Sequence, residues 1–180
     1  MRRHVMDSGA IRRLAPSDSI PHLTRLLHRS YRRLRDMGLH YVATDQDDDT
    51  TRRRICEGEC YVAVLDGRVV GTILFLDAPS TRGCPHYDKP GVSSFHQFAV
   101  DVPCQGMGIG RRLLDTVEAR AVESGANEIA LDTAEGATHL IDMYRRWGYR
   151  IVGQADWEET NYVSVIMGKP LGSPPRASSE

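Results

Sequence analysis

Apolar residues recur along the chain with two different periods, which predicts strands interleaved with helices. Residues 10–16 (AIRRLAP) predict a first strand, and Ser17 and Asp18 are N-cap candidates for a helix with Pro21 in its first turn. The apolar positions of this helix are three and four residues apart and share one face: Ile20, Leu23, Leu26, Leu27, Tyr31 and Leu34. Residues 44–58 (TDQDDDTTRRRICEG) have acids first and arginines later, an order that the helix dipole favours in a short second helix.

The middle of the chain predicts a hairpin followed by a long loop. In residues 60–76 (CYVAVLDGRVVGTILFL), two β-rich runs flank Asp66 and Gly67, a pair suited to a type I′ turn. Residues 77–92 (DAPSTRGCPHYDKPGV) are dense in proline, glycine and polar residues, which indicates a surface loop. Loops of this length are often functional.

The second half predicts the order strand, helix, strand, helix, strand, strand. The predicted strands are residues 93–102, 127–134, 149–155 and 161–170, and the predicted helices end near Ser124 and at Gly148. The fold class is therefore α/β (α+β) in one domain, residues 9–170. We expect residues 1–8 to be flexible and the proline- and serine-rich tail, residues 171–180, to be disordered.

Composition is that of an ordinary globular protein. Hydrophobic residues make up 41% of the 180, and no apolar run is long enough to span a membrane. The N-terminus shows no secretory signal pattern, so we expect a cytoplasmic protein without membrane association. Four cysteines are too few for a disulfide scaffold and are interpreted as reduced thiols.

Charge argues against a protein built mainly to hold nucleic acid, because the formal net charge is −1. Basic residues are nevertheless almost all arginine, and several lie in residues 25–36 (RLLHRSYRRLRD). We interpret this segment as an exposed helix face, with contact to phosphate groups as the alternative.

Glycines at positions 106, 108 and 110 stand between a strand that ends near Val102 and an amphipathic helix. Such a turn leaves backbone N–H groups free at a helix N-terminus, where the helix dipole also favours negative charge. The pattern therefore predicts an anion site, and a tight turn without a ligand is the alternative.

Two common phosphate-binding motifs do not fit this glycine-rich stretch. A Walker A loop needs lysine and a hydroxyl residue where Arg111 and Arg112 stand, and a dinucleotide fingerprint needs a different glycine spacing. The stretch QGMGIG, residues 105–110, resembles the Q/R-x-x-G-x-G/A coenzyme A pyrophosphate loop of the GNAT N-acetyltransferase superfamily. LIDMYRRWGYR, residues 140–150, is similar to the superfamily's L-Y-x-x-x-G-F stretch, with Tyr149 where phenylalanine is common.

The resemblance implies a central, mixed, mostly antiparallel sheet of six to seven strands, a splayed β4/β5 pair and about four helices on both faces. It also implies direct transfer of an acetyl group from acetyl-CoA to a primary amine in a ternary complex, without a metal, and homodimers are common among such proteins. The pantetheine arm would pair with backbone of Phe98, Ala99 and Val100. The pyrophosphate would lie on the turn formed by Gln105, Gly106, Met107, Gly108, Ile109, Gly110 and Arg111, with Arg111 or Arg112 adding charge.

Tyr144 matches the superfamily's usual general acid, and simple packing with Leu140, Met143 and Trp147 is the alternative. His96 is the candidate base or water holder, since it has the same strand parity as Phe98 and Val100.

Other base candidates remain open: the pair His86 and Asp88, or a chain of water molecules. The acids at positions 45 and 47–49 are interpreted as solvated helix-start charges, with attraction of a cationic amine as the alternative. Residues 156–165 are expected beside the acceptor, with Trp157, Glu158 and Asn161 as candidates.

Two other functions stay open at this point. One is a non-catalytic module that binds or senses acyl-CoA. The other is an interaction protein that uses the arginine-rich helix on nucleic acid, which the net charge makes the weaker hypothesis.

Overall fold

One seven-stranded sheet forms the centre of the molecule, a computed structural model that describes residues 9–172. The strand order is β1-β2-β3-β4-β5-β7-β6, and every neighbouring pair is antiparallel except β4 and β5. This confirms the expected mixed, mostly antiparallel sheet. The predictions for residues 1–8 and for the tail from 173 onward concern residues outside this range. The strands are β1 Ala10–Arg13, β2 Glu59–Leu65, β3 Arg68–Leu76, β4 Val92–Val100, β5 Glu128–Ala134, β6 Arg150–Asp156 and β7 Val163–Pro170.

Four helices cover the two faces of the sheet: α1 Ile20–Asp36, α2 Asp48–Ile55, α3 Ile109–Glu123 and α4 Thr138–Arg146. Leu26 and Leu27 of α1 pack with Ala99, whereas α3 and α4 pack with Phe95 and Phe98. Successive residues of a strand point their side chains to opposite faces of the sheet. Because α1 packs on Ala99 and α3 packs on Phe98, the two helices lie on different sides. None of these helices, within residues 9–172, is long and apolar enough to cross a bilayer.

The start of α1 differs in one detail from the sequence prediction. Its N-cap is Ser19, whose Oγ accepts from the His22 N–H at 3.2 Å. Asp18 instead accepts from the Ala15 N–H at 2.7 Å and pairs with Arg12, so it stabilises the turn between β1 and α1.

The hairpin turn is as predicted. Asp66 and Gly67 have φ values of 49° and 73°, the positive pair that a type I′ turn requires, and β2 pairs antiparallel with β3 around it.

The segment 77–91 is not a plain surface loop, which corrects the sequence prediction. Cys84 and Tyr87 are buried and pack with Val92 of β4, Ala130 of β5 and Ile166 of β7. The segment therefore covers part of the sheet. Proline and glycine density indicated its irregular backbone correctly, but composition does not show which of its side chains point inward.

Two irregularities in β4 position the site. β4 pairs with β5 only through Val92, Ser93 and Ser94, so the two strands separate beyond Ser94. Gln97 has a φ of 48°, and the register against β3 shifts at this point, which marks a β-bulge. A bulge adds a residue and reverses the alternation, so His96 and Phe98 lie on opposite faces. The prediction that they share parity was wrong.

Candidate active site

A cleft opens where β4 and β5 separate, and α1 lines one side of it. The carbonyl of Phe98 accepts from the Tyr31 hydroxyl at 3.2 Å. The carbonyl of Val100 accepts from Oγ of Ser30 and from Nε2 of Gln105, each at 3.0 Å. The cleft brings together the predicted strand, the glycine turn and the predicted acid; its lining includes Tyr31, Phe98, Ala99, Val100, Gln105, Gly106, Gly108, Gly110, Arg111, Tyr144 and Trp147.

Gly106 and Gly108 give the turn before α3 its open form. Both have a φ of 78°, in the left-handed region that glycine adopts without strain, and a Cβ at either position would meet no atom within 4 Å. Gly108 is the N-cap of α3 and offers no capping side chain. The first N–H groups of the helix therefore lie beside open space, which suits an anion.

The remaining turn residues have different roles. A Cβ on Gly110 would lie 3.4 Å from the Phe98 ring, so this glycine lets α3 pack closely on β4. Ile109 is fully buried in the core, and Met107 packs against the same core cluster. Because these two side chains anchor the turn, only their backbone atoms are suited to face a ligand.

Arginines border the cleft from two helices. Arg111 pairs with Asp115 and Glu118 of its own helix and lies over the Trp147 ring, and Arg112 donates to the carbonyl of Gly9 at 2.7 Å. The arginine-rich face of α1 is exposed as predicted. It also lines this cleft, which the sequence did not indicate, through Arg25, Arg29, Arg32 and Arg33.

Tyr144 of α4 is buried in a group of aromatic rings. Its ring centroid lies 6.1 Å from that of Phe95, 6.0 Å from Trp147 and 5.8 Å from Tyr149. Burial raises the pKa of Tyr144 well above its usual value, and nearby Tyr31, Tyr41 and Asp132 raise it further. The hydroxyl is therefore protonated at neutral pH, while the residue still contributes to the cleft wall.

His96 lies on the α1 face of β4, where the two strands separate. Its Nε2 is 3.0 Å from Oγ of Ser94, and its Nδ1 is 3.8 Å from Oδ1 of Asp132. Burial lowers the pKa of His96 from its usual value; Asp132 opposes this shift, and Arg54 adds to it. The imidazole is therefore neutral at neutral pH and able to accept a proton.

Asp132 of β5 is the functional candidate that the sequence interpretation missed. Its Oδ1 accepts from the Tyr87 hydroxyl at 3.2 Å, and its Oδ2 accepts from Nε1 of Trp157 at 3.0 Å and Oγ of Ser164 at 3.1 Å. A signal was present, since Asp132 is the one charged residue in the strand run IALDTA, residues 129–134.

The candidate residues of segment 156–165, which is expected beside the acceptor, lie in different surroundings. Trp157 joins the Asp132 network, whereas Asn161 bonds the backbone of Gly38 and His40 and thereby holds the end of the α1 region. Glu158 is exposed.

The side chains of His86 and Asp88 have partners other than His96. His86 is paired with Glu128 at 2.5 Å, and Asp88 accepts from the Gly83 N–H. Glu128 precedes Asp132 by four residues on β5, which is about 13 Å along a strand. The structure therefore does not bring this pair to His96.

The acids before α2 act as helix-start charges. Asp47 is the N-cap and accepts from the Thr50 N–H at 2.7 Å, and Asp49 pairs with Arg52. Asp45 and Asp49 are exposed. These contacts agree with the interpretation as solvated charges.

A mixed sheet split at β4 and β5, with a glycine turn at the N-terminus of the next helix, is the architecture of an acetyltransferase of the GNAT type. The acetyltransferase (GNAT) family model matches residues 21–149. The chain belongs to this family and is an acyltransferase.

Curated relatives and solved structures agree with this assignment. The chain is 32% identical over 161 residues to the S-(2-succino)cysteine N-acetyltransferase of Bacillus subtilis (strain 168), covering 88% of this chain and 94% of that protein. A GNAT family acetyltransferase from Elizabethkingia anophelis with acetyl-CoA bound superposes with a TM-score of 0.64 at 17% identity, covering 92% and 99% of the two chains. The yncA structure from Salmonella typhimurium with its cofactor acetyl-CoA gives a TM-score of 0.66 at 18% identity, covering 96% and 99%. These likenesses confirm the predicted fold.

Proposed function

We propose that this protein transfers an acetyl group from acetyl-CoA directly to a primary amine, with both substrates bound together. The observation that carries the proposal is the arrangement of one cleft. It contains an open glycine turn at a helix N-terminus, an unpaired edge of β4 and a buried tyrosine hydroxyl. Two solved structures of the same fold contain acetyl-CoA, which supports this donor.

The residues present fit coenzyme A. Space beside Gly106 and Gly108 is open where a Cβ would otherwise project, so a pyrophosphate could approach the N–H groups between Gln105 and Arg111. The backbone of Phe98, Ala99 and Val100 would hold the pantetheine arm along the edge that β5 leaves unpaired. Exposed arginines of α1 would supply positive charge for the phosphates.

Acetyl-CoA supplies an activated thioester, and the side chains around it have two tasks. An alkyl ammonium is mostly protonated at pH 7, so a base must remove a proton from the acceptor. His96 is suited to this task, directly or through a water molecule, because its imidazole is neutral and lies beside Asp132. An N–H group of β4 near Val100 would stabilise the oxyanion.

The second task is protonation of the departing thiolate. Tyr144 lines the cleft with its hydroxyl protonated, so it is our candidate general acid. A thiolate is a fair leaving group already, since a thiol pKa is about 8.5. The contribution of Tyr144 is therefore modest.

A small amine is the acceptor class that we favour over a protein amine. The Bacillus subtilis relative, which matches over most of both chains, is named for acetylation of a cysteine derivative. We propose a small molecule with a primary amine for this enzyme on that basis.

The decisive experiment measures CoA release from acetyl-CoA across a panel of acceptors, including amino acids, polyamines and a lysine-containing peptide. Release with at least one acceptor, together with the acetylated product in a mass spectrum, supports the proposal. Acetyl-CoA binding without release for any acceptor would instead indicate an acyl-CoA sensor. Activity that survives in Gly108→Trp would contradict the donor site.

A further inference from the structure

Arg54 is placed differently from the two arginines that precede it on α2. Arg52 and Arg53 are exposed and bond within their own helix, to Asp49 and to Oγ1 of Thr50. Arg54 is half-buried, and its Nη1 donates to Oε1 of Gln46 at 2.8 Å. Among residues 9–172 it has no carboxylate partner within ion-pair distance, and its side-chain hydrogen bond is to a neutral amide.

A chain of amide groups leads from Arg54 into the sheet. Gln46 and Gln97 are both 5% exposed. Nε2 of Gln46 donates to Oγ1 of Thr51 at 2.7 Å and to Oε1 of Gln97 at 3.0 Å. Gln97 stands at the β-bulge of β4, next to His96.

The orientation of these amides follows from the guanidinium group. Arginine can only donate hydrogen bonds, so Gln46 must turn Oε1 towards Arg54 and its NH₂ group towards Gln97. Gln97 must then accept with Oε1, which leaves its own NH₂ group facing away. Nε2 of Gln97 is buried and has no partner among the described residues. The bonds from Arg54 through Gln46 to Gln97 therefore fix the guanidinium against the sheet.

Arg54 lies near the proposed reaction centre, because Gln46 joins it to Gln97, the chain neighbour of His96. The charge on Arg54 also lowers the pKa of His96. Side chains of His96 and Asp132 are 22% and 18% exposed, so this region is reachable by a small molecule. The parallel N–H groups of a guanidinium match the two oxygens of a carboxylate.

We propose that the acceptor carries a carboxylate, as an amino acid does, and that Arg54 binds it. The inference rests on the amine acetylation proposed above and adds the chemistry of the acceptor. Binding through Arg54 would hold the acceptor's amine next to His96.

The test compares each of the common L-amino acids with its carboxamide, which retains the amine and the side chain but lacks the negative charge. CoA release from saturating acetyl-CoA gives kcat/KM for each member of a pair. For the preferred pair, we expect the acid to exceed the carboxamide at least tenfold. Arg54→Gln should bring this ratio close to one, mainly by raising KM, and Arg54→Lys should retain part of it. The matched control, Arg53→Gln on the exposed side of the same helix, should keep the ratio.

Binding gives an independent readout: the preferred amino acid should raise the Tm of the parent protein and of Arg53→Gln but not that of Arg54→Gln.

Failure of the inference and failure of the proposed function are distinguishable. If amines are acetylated but acids have no advantage over carboxamides, or if the advantage survives Arg54→Gln, the carboxylate site is overturned and the acetyltransferase proposal stands. If no amine of any kind releases CoA, the proposed function itself is overturned.

Discussion

Nδ1 of His96 lies 3.8 Å from Oδ1 of Asp132, just beyond the point where β4 and β5 cease to pair. Ser94 and Ala130 are the last paired residues, and His96 and Asp132 are the next on each strand that face the same side. Burial favours the neutral imidazole, whereas the carboxylate favours its protonated form. The split of the sheet thus places a neutral imidazole beside a carboxylate.

Replacement of Asp132 by asparagine is expected to move the acidic limb of the kcat/KM profile to lower pH. The carboxylate raises the pKa of His96, so its removal lowers that pKa, and the imidazole then remains neutral at lower pH. Burial lowers the pKa of His96, so the limb of the parent enzyme should lie at a lower pH than that of a free imidazole. The profile of kcat/KM against pH, measured with a fixed acceptor, checks both statements.

Two variants complete this test. His96→Ala should lose the acidic limb, and retention of the limb would remove His96 as the base. Glu128 of β5 pairs with a different histidine, His86. Glu128→Gln should therefore leave the acidic limb in place. A limb that moves to higher pH in Asp132→Asn would contradict the assignment of the interaction.

Tyr144→Phe is expected to lower kcat about tenfold to hundredfold, near the lower end for general acid catalysis, because the thiolate leaves readily without help. KM for the acceptor should change little, since the phenyl ring retains the contacts with Phe95, Trp147 and Tyr149. Steady-state kinetics over a range of pH provide the measurement. An unchanged kcat throughout that range would show that Tyr144 serves packing alone.

Glu118 explains why Tyr149 differs from the phenylalanine that is common at its position. The Tyr149 hydroxyl and Nζ of Lys169 each donate to Glu118 at 2.9 Å, and Arg111 adds a third contact. Because Glu118→Ala would leave a buried hydroxyl and an ammonium without this acceptor, we expect a loss of about 2–4 kcal/mol in the free energy of unfolding.

Urea denaturation provides the measurement for Glu118→Ala. Glu123→Ala is the matched control on the same helix, where the carboxylate is exposed and the expected change is below about 0.5 kcal/mol. Equal losses in the two variants would show that the Glu118 contacts contribute nothing specific.

Local patterns in the sequence were sufficient for most of the fold. The Asp66–Gly67 turn, the apolar face of α1 and the glycine turn before α3 each depend on residues within a few positions, so their periods and turn residues predict them. The pairing of β4 and β5 could be expected only through the family resemblance, because parallel strands are joined by contacts distant in sequence.

The acceptor side of the site was less predictable for a physical reason. A bulge at Gln97 reverses the strand alternation, and no pattern in FHQFAV indicates it, so His96 was assigned to the face of Phe98. Asp132, Tyr87 and Trp157 come from three separate segments and meet only after folding. Arg54 could not be distinguished from Arg52 and Arg53 without the structure, since burial alone separates them.

Gly108→Trp is expected to weaken acetyl-CoA binding at least tenfold. A side chain at Gly108 would project into the open space beside the first N–H groups of α3, where the pyrophosphate is proposed to lie. Gly125→Trp is a matched control: its φ of 82° is also positive, a Cβ there likewise meets no atom within 4 Å, and it follows the opposite end of α3. Both variants carry a similar backbone strain of about 1–2 kcal/mol, so a difference between them reports on the turn and not on stability. Isothermal titration with acetyl-CoA should show parent-like affinity for Gly125→Trp, and equal affinities for the two variants would exclude the turn as the pyrophosphate site.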